Sequence, residues 1–128
     1  MVLATGIDII EIQRIRQAIE RWGDRFLRRI FTPSEINYCR RKNRPELSFA
    51  ARYAAKEAVL KALGIGLKGG LGWTDLEIVN DELGAPMVRP GQRMMDLMGS
   101  KRVLISLSHI RELAVAVALL VDDRGEKR

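Results

Sequence analysis

Cysteine, histidine and aromatic residues are scarce in this chain of 128 residues. The single cysteine, Cys39, has no internal partner, which excludes a disulfide scaffold and points to a reducing compartment. One cysteine and one histidine, His109, are too few for a four-ligand zinc centre. Cys39 also lies far from His109 in sequence, and there is no Gly-x-Ser-x-Gly, so a nucleophile-and-base enzyme has little support. Aromatics make up only 5% of the chain, leaving few platforms on which single-stranded bases would stack. No apolar run approaches the length of a membrane span. The start, Met1 to Gly6, runs straight into Asp8 without the charged head and long apolar core of a secretory signal. The expected location is the cytoplasm, with no segment crossing a membrane.

The chain carries instead a surplus of positive charge, +6, on an ordinary background of 47% apolar and 30% charged residues. Its length suits a single domain, residues 1–128, with a frayed basic tail at about 123–128. The charge calls for an acidic partner: nucleic acid, a phosphorylated metabolite, an acidic protein or an anionic membrane. Six arginines, Arg14, Arg16, Arg21, Arg25, Arg28 and Arg29, crowd the front of the chain against Glu11, Glu20 and Asp24. They read either as a solvated face or as a docking surface for an acidic macromolecule, since the guanidinium fork grips carboxylates and phosphates.

The stretch from Phe49 to Gly64 organises the rest. It reads as one Ala- and Leu-rich helix that Pro45 can begin and Gly64 closes. Phe49, Tyr53, Leu60 and Leu63 gather on one side, with Glu57 at the margin and Lys61 one turn on. Glu57 and Lys61 make either a surface ion pair or, with a metal ion on the carboxylate, part of a site. Lys56 projects near Phe49 and Leu60, its stem packed and its ammonium reaching past the edge.

Before that helix, Val2 to Ile7 reads as a buried strand with Asp8 at its mouth. Asp8 there either ligates a metal or caps the helix expected over Ile9 to Trp22. Gly23 breaks that helix, and Phe26 to Phe31 forms a short helical segment. Thr32-Pro33-Ser34-Glu35 is a capping box opening the next helix. After Gly64, four glycines in nine positions, including Gly66, make a loop that is either a connector or a close backbone contact to a ligand. Strands are expected at Leu76–Val79 and Met87–Val88, and a short helix from Pro90 to Met98 with Met94, Leu97 and Met98 inward. Arg102–Ser108 and Leu113–Val121 form a final hairpin with His109 at its tip. His109 alone reads as a structural hydrogen bonder or a ligand contact. Ala114, Ala116 and Ala118 suggest a strand face pressed against another backbone. The class is α+β.

Asp8 and Glu57 on rigid elements, with Lys56, Lys61 and His109 as nearby donors, suit a hard cation and a phosphate. Those residues alone leave nuclease, kinase-like and transferase chemistry open. The motifs Gly6-Ile7-Asp8, Phe31-Thr32-Pro33-Ser34-Glu35, Ala55-Lys56-Glu57-Ala58 with Lys61-Ala62-Leu63-Gly64, and Ser106-Leu107-Ser108-His109 go further. In this order and spacing the chain resembles the holo-(acyl-carrier-protein) synthases, bacterial 4'-phosphopantetheinyl transferases of fatty-acid synthesis.

The resemblance implies a small antiparallel sheet packed against a long central helix and shorter helices. It also implies Mg2+-dependent transfer of 4'-phosphopantetheine from coenzyme A to a serine of apo acyl carrier protein. Asp8 and Glu57 would bind Mg2+, Lys61 would neutralise phosphate charge, and Gly64, Gly66, Ser108 and His109 would contact the coenzyme. Arg14, Arg21, Arg25 and Arg28 would dock the carrier. A homotrimer with sites between subunits follows, its alanine-rich last strand near the threefold centre, and no nucleic acid is expected. Ile65 and Val117 depart from the usual pattern of relatives, which have a threonine and often a glutamine there. The rival is a non-enzymatic basic module, whose mark would be metal-independent nucleic-acid affinity falling steeply with salt.

Overall fold

The computed structural model describes residues 1–64 and 70–124. At its centre runs helix α4, Pro45–Leu63. Proline at the first helical position and a run of strong helix formers begin and sustain it. Gly64, at φ 76°, ends it and returns its N–H to the carbonyls of Leu60 and Lys61. The expected apolar stripe proves too narrow. Phe49, Ala50, Ala54, Ala55, Ala58, Val59, Leu60 and Ala62 are all buried, and so are Arg52 and Lys56. Helix α4 is wrapped on nearly every side, and that explains its many alanines.

A three-stranded antiparallel sheet covers one side of α4. Its strands are β1, Val2–Glu11, β4, Lys101–His109, and β5, Leu113–Asp122, in the order β1-β5-β4. Strand β1 runs past its expected end, because Ile9, Ile10 and Glu11 pair with Val115, Ala114 and Leu113. Asp8 therefore stands within a strand, opposite Ala116, and caps no helix. Helix α1, Ile12–Trp22, begins only after Glu11 and buries Ile12 and Ile15.

Small residues bring sheet and helix together. Ala114, Ala116 and Ala118 are buried, and they face α4 as the expected close strand contact. At Gly6 the approach is closest. A Cβ there would lie 2.8 Å from the Ala62 nitrogen and closer still to the Ala58 carbonyl oxygen. No side chain larger than hydrogen fits.

Two short helices, α2, Asp24–Ile30, and α3, Pro33–Arg40, close the other side. Helix α3 carries the expected capping box: the Thr32 hydroxyl accepts from the Glu35 N–H, and the Glu35 carboxylate accepts from the Thr32 N–H. Phe31 and Phe49 meet with ring centroids 5.0 Å apart in the core between α1, α2 and α4. A 3-10 turn, Trp73–Asp75, leads into β2, Leu76–Asn80, which pairs with β3, Pro86–Pro90.

Pro90 ends β3 opposite Leu76 and does not open a helix. Gly91 donates to the Asp75 carbonyl at 2.7 Å, and α5, Gln92–Met98, begins after it. That shift turns Leu97 outward, where it is 50% exposed, while Met94 and Met98 are buried as expected. Among the described residues no helix is long and apolar enough to cross a membrane.

Candidate functional site

Strand β1 and helix α4 bring Asp8, Glu57 and Lys61 together. The Lys61 ammonium donates to the Asp8 carboxylate at 3.1 Å and to the Ile7 carbonyl at 2.9 Å. The surface pair with Glu57 expected from spacing is thus replaced by one across elements. Alternation along β1 puts Asp8 on the same face as Gly6, towards α4. Its side chain is only 16% exposed, against 52% for Lys61.

Glu57 feels both neighbours. Partial burial pushes its carboxyl above the ordinary glutamate value, and the negative charge of Asp8 pushes it the same way. Lys61 and the Tyr53 hydroxyl pull in the other direction but do not cancel the rise. Two carboxylates thus share a half-sheltered site with more negative charge than one lysine offsets. Such a site gains from a cation. Among the described residues no group of three or more His, Cys, Asp or Glu side chains could cage a metal. An ion here would complete its shell with phosphate oxygens and water, which suits Mg2+ rather than zinc.

Lys56 is corrected by the structure. Its ammonium does not pass the edge of α4 but is fully buried, 2.6 Å from the Glu35 carboxylate. It also donates to the carbonyls of Ile30, Trp73 and Leu76 at 2.8, 2.9 and 3.0 Å. The second Glu35 oxygen accepts from the Ile78 N–H at 2.8 Å. Every polar bond of the pair is taken inside the protein, so Lys56 has none left for a phosphate. Burial pulls the lysine below its usual pKa, and the charge of Glu35 opposes that.

Sequence reasoning treated Tyr53 as apolar and gave Trp73 no role. Their rings stack with centroids 5.3 Å apart and planes 21° from parallel. Tyr53 stands one turn before Glu57, and burial with the charges of Glu57 and Asp8 holds its hydroxyl above the ordinary tyrosine pKa. The four-residue spacing of Tyr53 and Glu57 was the available signal.

His109 and Ser108 do not join this group within one chain. His109 is exposed at the end of β4, paired with Ala114, and β5 separates it from β1. That separation is about 10 Å across the sheet. Ser108 pairs with Val115, which pairs with Ile9, so its side chain lies on the sheet face away from α4. Gly64 sits at the α4 terminus with open space around it. Gly66 and Ile65 lie outside the described residues. Val117 lies on the outer sheet face between Ile7 and Ser106.

Arg14, Arg21, Arg25 and Arg28 are all exposed on α1 and α2. Arg28 has a loose pair with Asp24 at 3.7 Å, and the Arg21 guanidinium lies 5.2 Å from the Trp22 ring centre. Arg14 is near enough for its charge to act on Tyr53. Of the four, Arg14 is the one whose charge reaches the carboxylate site.

Comparison with known proteins gives the family and the fold. The family model of the 4'-phosphopantetheinyl transferase superfamily matches residues 4–118. A holo-[acyl-carrier-protein] synthase of Koribacter versatilis is 48% identical over 125 residues, 95% of this chain and all of that one. One from Chlamydia trachomatis is 49% identical over 118 residues, covering 92% and 98%. Among solved structures, the Neisseria meningitidis holo-[acyl-carrier-protein] synthase superposes with a TM-score of 0.87 at 30% identity, covering 95% of this chain and all of that one. The Helicobacter pylori synthase, solved in complex with coenzyme A, gives 0.82 at 34% identity and covers 91% and 99%.

Proposed function

The chain belongs to the 4'-phosphopantetheinyl transferase superfamily, among its holo-[acyl-carrier-protein] synthases, and from that premise we propose how its residues carry the reaction. The enzyme moves 4'-phosphopantetheine from coenzyme A to a serine hydroxyl of apo acyl carrier protein, for fatty-acid synthesis. The serine oxygen forms a bond to the β-phosphorus. The bond from that phosphorus to the bridging oxygen breaks, and adenosine 3',5'-bisphosphate leaves.

Asp8 and Glu57 would hold Mg2+, and the observation that carries this reading is their meeting on β1 and α4 beside Lys61. The ion, when bound, supplies Lewis-acid stabilisation of charge on the pyrophosphate. Lys61, half exposed and already aimed at Asp8, adds a mobile positive charge that can turn to a phosphate oxygen. A carboxylate of the pair, acting through water, accepts the serine proton. Arg14, Arg21, Arg25 and Arg28 form the docking face for the acidic carrier, and Arg14 joins that face to the site.

The active unit is proposed to be a homotrimer. Ile7, Ile9, Leu104 and Val117 lie exposed on the outer face of the sheet, an apolar surface suited to a second copy. The alanines of β5 are already spent against α4, so the strand would meet its copies by this opposite face. A neighbouring copy would also bring a His109 and Ser108 that one chain keeps away from its own Asp8. Both are proposed to contact the coenzyme.

Mass spectrometry of apo carrier protein incubated with coenzyme A and Mg2+ tests the reading. A gain of one phosphopantetheine, lost on chelation and lost in Glu57→Gln, is the expected result. Full conversion by Glu57→Gln at saturating Mg2+ would remove Glu57 from the mechanism.

A further inference from the structure

Lys56 and Glu57 are adjacent in the chain yet face opposite fates, one sealed in the core and the other at the site. A physical path joins them by another route. The Lys56 ammonium holds the Trp73 carbonyl at 2.9 Å, and with it the 3-10 turn Trp73–Asp75. The Trp73 ring lies nearly parallel on Tyr53. Tyr53 stands one helical turn before Glu57 on α4, the spacing at which side chains on one helix face meet. A second anchor fixes the same turn, since Lys56 also takes the Leu76 carbonyl and Glu35 takes the Ile78 N–H. The Trp73 main chain is thus anchored by Lys56, its ring lies on Tyr53, and Tyr53 lies one helical turn from Glu57.

We propose that Tyr53 and Trp73 are positioning residues for the Glu57 carboxylate, and that buried Lys56 acts on the site through them. This rests on the reading of Glu57 as a metal ligand. Groups that orient a ligand in this way commonly change metal affinity by about 10–100-fold when removed.

The test uses Mn2+ as the probe, titrated into the full-length protein with coenzyme A present and followed by electron paramagnetic resonance of the free ion. Tyr53→Phe removes one hydroxyl and leaves the stack, so melting stays near that of the parent while Mn2+ binding weakens roughly tenfold. Trp73→Leu weakens it at least as far, and Trp73→Phe, which restores an aromatic face, recovers most of the loss. Parental Mn2+ affinity in both Tyr53→Phe and Trp73→Leu, with affinity lost in Asp8→Asn, overturns the inference and leaves the metal reading standing. Parental affinity in Asp8→Asn and Glu57→Gln overturns the metal reading, and this inference with it.

Discussion

Helix α4 carries two lysines, each beside a carboxylate from another element, and the two pairs have little else in common. Lys56 meets Glu35 in full burial, with three carbonyls completing its shell. Lys61 meets Asp8 at the open end, where half of its side chain is in water. A buried pair of this kind fixes geometry, because breaking either half strands a charge in low dielectric. An exposed pair contributes about 0–1 kcal/mol and can be exchanged for another partner. The contrast teaches that a signature with two lysines need not hold two catalytic cations. The one that can let go is the one available for chemistry.

The comparison breaks most visibly at Lys56. Lys56→Met leaves the buried Glu35 carboxylate without its cation, and unfolding by denaturant is expected to show a loss of about 3–5 kcal/mol. Pairing it with Glu35→Leu recovers only part, because the Thr32 and Ile78 N–H groups then lack their acceptor.

Lys61→Met should do the reverse. Stability changes by less than about 1 kcal/mol, while the transfer rate falls on the order of 10²-fold, as when a charge-stabilising donor is removed. Equal losses of stability in the two variants would erase the distinction.

The smallest effect sharpens the site itself. Carboxyl NMR of the metal-free protein should place the Glu57 midpoint above the ordinary 4.5, and Asp8→Asn should bring it down. A carboxyl raised by folding disfavours the ionised form, so it costs stability above its folded midpoint. That cost disappears as pH falls below the unfolded value. Glu57→Gln should accordingly stabilise the metal-free protein slightly at pH 7 and not at pH 4.

Much of this was legible in the chain, and the failures share a cause. The capping box at Thr32, the glycine stop at Gly64 and the inward alanines of β5 are local features, and they stand where read. The carboxylates of Asp8 and Glu57 were recognisable as a pattern. The extent of β1 was not, because Ile9-Ile10-Glu11-Ile12 fits a helix start as well as a strand. Pairing with Leu113, Ala114 and Val115 decided it. The fate of Lys56 was hidden for the same reason. A helical wheel shows which way a side chain leaves, but not that Glu35 waits there. Pro90 likewise obeyed its strand partner Leu76 rather than its own preference for a helix start.

Gly6 has one more consequence. Where β1 crosses α4, main chain rests on main chain with nothing interposed. The spacing of the two elements that carry the acids is therefore gauged by peptide thickness rather than by side-chain packing. A methyl group added at Gly6 would wedge β1 off α4 and open the jaw that the acids form.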